Sequence, residues 1–289
     1  VTDRCIAKGT ALLLLVAVLA TAGAVRAADP ASPRRLVLAT TTSVRDSGLM
    51  DALLPAFEAE SGFEVELIAV GSGAALRLGA QGDADVVVAH APEEEQKRVA
   101  SGRLLERRPF VHGYFLLAGP AEDPADVAGA ASAAEAVRRI AATPAPWASR
   151  GDESGTHGRE QALLRAAGRD PATRWPGFLS TGSGMGQTLM VAGEKRAYVL
   201  TDRATFEAFR ARTALVPLYA RPDAALLNEY SVLRPNPERF APGRVDVQGA
   251  QRFADFLLSP ATQRRIGDFG RTAEGPPLFT PGPAPPELR

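Results

Sequence analysis

Ser149-Arg150-Gly151-Asp152-Glu153-Ser154-Gly155-Thr156-His157 is the stretch of this chain that carries most chemistry. A guanidinium offers fixed, permanently charged donors. Ser154, Gly155 and Thr156 stand where a helix through REQALLRAAG is expected to begin. Their hydroxyls and N–H groups there join the positive end of a helix dipole, a combination that suits a small oxyanion. The alternative is an Arg150–Asp152 ion pair stitching a surface loop. Two further clusters have the same character. Thr40-Thr41-Thr42-Ser43 ends an apolar strand, where Thr41, Thr42 and Ser43 could receive an anion or simply cap a helix. Gly71-Ser72-Gly73 repeats the arrangement after a second strand, with Ser72 as donor and glycines that let a ligand approach the backbone. Ligands of open α/β sheets bind outside strand carboxyl ends, where all these hydroxyls fall.

Other chemistries find little support. Gly182-Ser183-Gly184-Met185-Gly186 lacks the Gly-x-Gly-x-x-Gly spacing and reads as a helix start. No Gly-Lys-Ser/Thr occurs, which removes a P-loop. The three histidines, His90, His112 and His157, show no metal-ligand spacing, so neither metal nor cofactor is expected. His157 beside Asp152 and Ser154 hints at a triad, but Ser154 lacks a nucleophile-elbow context. No catalytic residue is assigned, and an enzyme is not expected.

The elements that must position these residues follow from periodicity. LVLATTT (36–42) reads as a buried strand. Leu49, Leu53, Leu54 and Phe57 then share a helical face that Gly62 ends. Phe63, Val65 and Leu67 alternate with glutamates as a half-buried strand, and DVVVAH (85–90) is a fully buried one. Pro92 with three glutamates starts a helix. YFLLAGP (114–120), PWAS (146–149), AYVLT (197–201), LVPLY (215–219) and EYSVL (229–233) read as further strands. Ser132 with Glu135 makes a capping box, DRATFEAFRAR is a helix, and two more helices are expected near 246–258 and 260–269. The proline-rich tail PPLFTPGPAPPELR is expected to lack regular structure.

Strand–helix alternation predicts a mostly parallel α/β sheet. The chain starts one α/β unit, builds a second and returns, with crossovers near 114–120 and 229–234. That predicts two domains, 35–117 plus 232–289 and 118–231, with a ligand cleft between them. Upstream, Arg4 and Lys8 precede the apolar run ALLLLVAVLATAGAV, and Val25-Arg26-Ala27 offers small residues for cleavage near Ala27. A signal peptide over 1–27 is expected, because that run is short of the roughly 20 residues a spanning helix needs. Its removal takes Arg4, Lys8, Arg26 and Asp3, leaving 30 basic and 32 acidic side chains and no cysteine. Such a balance argues against nucleic acid as partner.

ATTTSVRDSGLMDALLPAFE, AVGSGAALRLGAQGDADVVVAHAPEEE, SRGDESGTH, GMGQTLMVAGEKRAYVLTDRATF and LFTP, in order from about residue 38 to 281, resemble the tungstate-binding proteins of ABC importers. The resemblance implies a two-domain type II periplasmic-binding-protein fold. It implies a tungstate or molybdate ligand held by Thr41, Thr42, Ser43, Ser72, Arg150, Ser154 and Thr156. It also implies an ABC permease with its cytoplasmic ATPase as partner, a periplasmic location and a monomer. Two departures stand out: Ser72 replaces an expected threonine, and VHGYFLL (111–117) lacks the family's Asn-Asp pair. A phosphate-binding transport protein is the alternative, since Arg-x-Asp-x-Ser-Gly-Thr resembles its phosphate loop. A secreted enzyme acting on a phosphorylated metabolite would have His157 as its base. A sensory module reporting to a membrane receptor would look the same as a transporter.

Overall fold

A computed structural model describes residues 34–271 and 277–286; the expected signal peptide and its cleavage site lie outside them. The first α/β units are β1 (Arg34–Thr41), α1 (Thr42–Asp46), α2 (Leu49–Ser61), β2 (Phe63–Val70), α3 (Ser72–Gln81), β3 (Val86–Ala89) and α4 (Pro92–Ala100). The long β4 (Arg108–Pro120) leads to α5 (Ala133–Ala141), β5 (Trp147–Ser149), α6 (Gly155–Ala166), β6 (Phe178–Ser180), α7 (Met185–Lys195), β7 (Tyr198–Asp202), α8 (Arg203–Phe209) and β8 (Leu215–Tyr219). The chain returns through β9 (Leu227–Leu233) to α9 (Val247–Leu258), α10 (Pro260–Asp268) and β10 (Thr280–Pro281). The last of these is a correction, because the proline-rich tail supplies a two-residue strand that pairs with β4 at His112 and Val111.

The strands run in the order β2-β1-β3-β9-β4-β7-β5-β6, with β8 and β10 also paired to β4. β1, β2 and β3 are parallel, as are β5, β6 and β7, whereas β9 and β4 run antiparallel to their neighbours. β4 pairs with β9 from Arg108 to Tyr114 and with β7 from Phe115 to Ala118, so one strand serves two domains.

Period-two alternation builds a core on each face of each domain. In β1, Leu36 and Leu38 face a cluster with Phe57, Phe63, Phe253 and Ile266, while Ala39 faces Leu76, Val87 and Leu104. In β4, Phe115 and Leu117 join Val137, Ile140 and Trp147, while Leu116 and Ala118 join Met185, Leu189 and Phe206. Each fully buried side chain of this size contributes about 1.5–3 kcal/mol. Helices on both faces of a parallel sheet leave the strand carboxyl ends open, and the loops there form the site.

An ionic knot ties the crossover strands together. Arg107 lies 2.6 Å from Glu95 and 2.7 Å from Glu229, and Glu229 also accepts from Ala284 N–H at 2.8 Å.

α6 turns a carboxyl inward. Glu160 is 2% exposed, and burial raises its pKa to about 7 against the opposing charge of Arg174. The folded chain therefore holds this proton more tightly than the unfolded chain does. Stability is expected to fall as pH rises from about 4.5 through 7, on the order of 3 kcal/mol in all. Glu160→Gln should flatten that dependence and melt higher than wild type at pH 8, which thermal melts at pH 5 and 8 would test.

Candidate oxyanion site

Arg150 follows β5 and is 2% exposed, so the surface-loop alternative does not hold. Its Nη2 donates to Thr42 Oγ1 at 3.1 Å and to Asp152 Oδ2 at 2.5 Å, its Nη1 to Thr156 Oγ1 at 3.5 Å, and its Nε to Ser183 O at 3.3 Å. The Arg150–Asp152 ion pair weighed as the alternative does form, but on a buried arginine. Asp152 is engaged at both oxygens: the second accepts from Ser154 N–H at 3.2 Å. The loop doubles back through left-handed backbone at Gly151 and Glu153, with φ of 60° and 57°. A β-carbon at Gly151 would lie 2.0 Å from Ser180 Oγ, so any side chain there must displace that hydroxyl and take up a strained backbone.

Ser154 caps α6, its Oγ accepting from His157 N–H at 3.2 Å, which leaves the hydroxyl hydrogen free to donate. Thr156 is fully buried behind it. His157 takes Glu153 N–H on Nδ1 at 3.1 Å, and burial lowers its pKa. The Ser154–His157 pair thus serves the helix cap and not a nucleophile.

The first domain contributes the singled-out residues from two strand ends, those of β1 and β2. Thr41 caps α1 by accepting Val44 N–H at 3.2 Å, and its Oγ1 lies 3.1 Å from Ser43 Oγ. Ser72 is 1% exposed, and its Oγ has no hydrogen-bond partner among the described residues. It lies against Gly155: a β-carbon there would sit 3.0 Å from Ser72 Oγ. Thr42 and Ser43 meet the second domain, through Arg150 and through Thr205 Oγ1, which donates to Ser43 O at 3.4 Å. α3 and α6 both begin at this point, and the first N–H groups of each lack intrahelical acceptors.

Hydrogen bonds and close approaches bring the seven residues singled out from the sequence near one another, the Thr41–Ser43 group and Thr156 around Arg150, and Ser72 beside Ser154 and Gly155 at the start of α6. Three participants went unassigned. His90, just beyond β3, lies 3.2 Å from Ser43 Oγ. The start of α7 accepts Arg150 through Ser183 O. Asp202 caps α8 with one oxygen and is 2% exposed, and burial raises its pKa. The strand-end rule that found the hydroxyls would also have found His90 and Asp202. A cavity of 560 Å³ borders the site on its Ser72–Ser154 side, lined by α3, α4 and α6 with Arg77, Arg98 and Arg159. Burial lowers the pKa of Arg159, opposed by Glu93.

Two α/β domains that share crossing strands, with hydroxyls, helix starts and one buried arginine between them, define a type II periplasmic binding protein. Residues 26–261 match the family model described as a PBP superfamily domain. The tungstate-binding protein TupA of Peptoclostridium acidaminophilum is 38% identical over 257 residues, covering 86% of each chain. The crystal structure of the tungstate ABC transporter from Geobacter sulfurreducens aligns with TM-score 0.74 and 42% identity, over 81% of this chain and 98% of that one. TupA from Desulfovibrio alaskensis G20 aligns with TM-score 0.69 and 38% identity, over 87% and 100%. The chain belongs to the PBP superfamily and, within it, to the family of the TupA proteins.

Proposed function

We propose that this chain is the extracytoplasmic solute-binding protein of an ABC importer and binds tungstate, or molybdate of nearly the same size and charge, in its interdomain cleft. The observation that carries the reading is the posture of Asp152. Tungstate has no proton at neutral pH, so it accepts hydrogen bonds and donates none. Hydrogen phosphate carries a proton, and a carboxylate facing it can accept that proton. Asp152 instead gives one oxygen to Arg150 and the other to Ser154 N–H, so each of its oxygens is already held by a donor of the protein. Thr41, Thr42, Ser43, Ser72, Arg150, Ser154 and Thr156 are the proposed ligands. The family's tungstate binders support the same ligand.

The remaining assignments belong to this reading. The domains are 35–117 plus 232–289 and 118–231. The protein is a monomer in the periplasm, freed by cleavage near Ala27, and delivers its ligand to a permease with a cytoplasmic ATPase. Titration calorimetry against tungstate, molybdate, sulfate and phosphate tests the ligand. One tungstate per chain is expected. Ligand at about 1,000 times its dissociation constant should add roughly 4 kcal/mol of stability, seen as a higher melting temperature. No heat and no thermal shift with either group 6 oxyanion would sink the proposal.

Asp152→Asn should change tungstate affinity by about tenfold or less, because the side chain orients Arg150 without facing the ligand. A wild-type preference for phosphate, lost in the Asn variant, would favour the phosphate alternative.

A further inference from the structure

A buried chain of polar groups runs from the site to the returning strand β9. Thr41 Oγ1 lies 3.1 Å from Ser43 Oγ, which lies 3.2 Å from His90 Nε2. His90 Nδ1 is 2.8 Å from Asn228 Oδ1, and Asn228 Nδ2 donates to Tyr230 OH at 2.7 Å. Each of these five residues is at most 4% exposed. The imidazole stacks on the Tyr230 ring, with centroids 4.9 Å apart.

The direction of every bond in this chain follows from donor counts. An amide oxygen only accepts, so His90 carries its hydrogen on Nδ1. Burial lowers the His90 pKa to about 4, with Arg150 and Arg159 also disfavouring a second proton and Asp152 favouring one. The ring is therefore neutral at pH 7, and Nε2 is an acceptor. Ser43 must point its hydrogen at His90. Thr41 already accepts Val44 N–H and points its own hydrogen at Ser43. Ser43 is left with a lone pair to offer the cleft, the wrong polarity for an oxyanion without protons.

We propose that binding of a fully deprotonated oxyanion reverses the run from Ser43 to Tyr230 as a unit, the Thr41 donation to Ser43 being kept, with His90 as the positioning residue for the Ser43 hydroxyl. In the reversed state Tyr230 O–H donates to Asn228 Oδ1, and the turned-over amide donates to His90 Nδ1. His90 Nε2–H donates to Ser43 Oγ, and Ser43 O–H donates to the ligand. One N–H bond breaks at Nδ1 and one forms at Nε2 by exchange with solvent, so the proton count does not change. Each buried group keeps a partner in both states, which makes reversal cheaper than stranding any single member. The inference rests on the oxyanion reading above.

Nitrogen NMR of protein labelled with 15N-histidine tests it at pH 7.5, with sodium tungstate added and uptake followed in parallel by calorimetry. The His90 signals are assigned by their loss in His90→Gln and by ring-proton contacts with Tyr230. The protonated nitrogen should be Nδ1 in the free protein and Nε2 in the saturated one. Tungstate uptake with Nδ1 still protonated would overturn the reversal and leave the ligand assignment standing. A free protein already protonated at Nε2 would overturn it too. Absence of tungstate uptake would remove both.

Discussion

Arg150→Glu is expected to weaken tungstate binding by a factor on the order of a thousand or more while the chain still folds. Two unit charges about 4 Å apart interact by about 4 kcal/mol at the effective dielectric of a partly buried site, which is already three decades in affinity. The substitution removes one attraction to a dianion and adds a repulsion, so that figure is a lower bound. It also separates the guanidinium from Thr42, Thr156, Asp152 and Ser183, the four groups that hold it in place. Arg150→Lys should fall between the two, because a flexible point charge replaces a fixed fork of donors. Calorimetry on variants with wild-type circular dichroism checks this. Unchanged affinity in Arg150→Glu would place the arginine outside the site.

The second large effect is expected at Gly155, where binding and folding should move in opposite directions. The residue opens α6, so alanine there favours the isolated helix by up to about 1 kcal/mol. Yet its β-carbon would sit 2.8 Å from His90 O, 3.0 Å from Ser72 Oγ and 3.1 Å from His90 Cε1. The carbonyl belongs to backbone at the end of β3 and cannot swing aside. Gly155→Ala should hold the start of α6 away from β3 and lower tungstate affinity by about a hundredfold, near 2.7 kcal/mol. The ligand-free protein should melt no lower than wild type. Intact affinity would mean that the two domains need not approach this closely to hold the ligand.

Much of this arrangement was legible because local signals agreed with the tertiary outcome. The apolar runs read as strands at 36–42, 114–120 and 197–201 correspond to β1, β4 and β7, and Ser132 caps α5 as its spacing required. The hydroxyl clusters and Arg150 could be found because strand ends and helix starts are recognisable along the chain. β6 escaped, since its three residues are half-buried or exposed where the three of β5 are buried, and so did β10, whose two residues are ordered by β4. α1 was not separated from α2, although Gly48, with φ of 75°, divides them. The place of His90 at a strand end could be read locally, but its hydrogen-bonded state could not: that is set by Asn228, 138 positions away, and no local spacing encodes the pair.

The position of β9 has a consequence for the order in which the chain can fold. It lies between β3 and β4, yet it is made more than a hundred residues after either begins. A nascent chain that stops before Leu227 has a gap in the middle of its first sheet, and α9, which packs against β3 and β4, is missing too. The apolar cluster of Val86, Val88, Phe110 and Val111 then lacks Tyr230, Val232, Phe253 and Leu257. The first domain therefore cannot mature while synthesis proceeds from the amino end. Its folding waits on late, long-range pairing, a slow step that leaves the polypeptide threadable until β9 has been made.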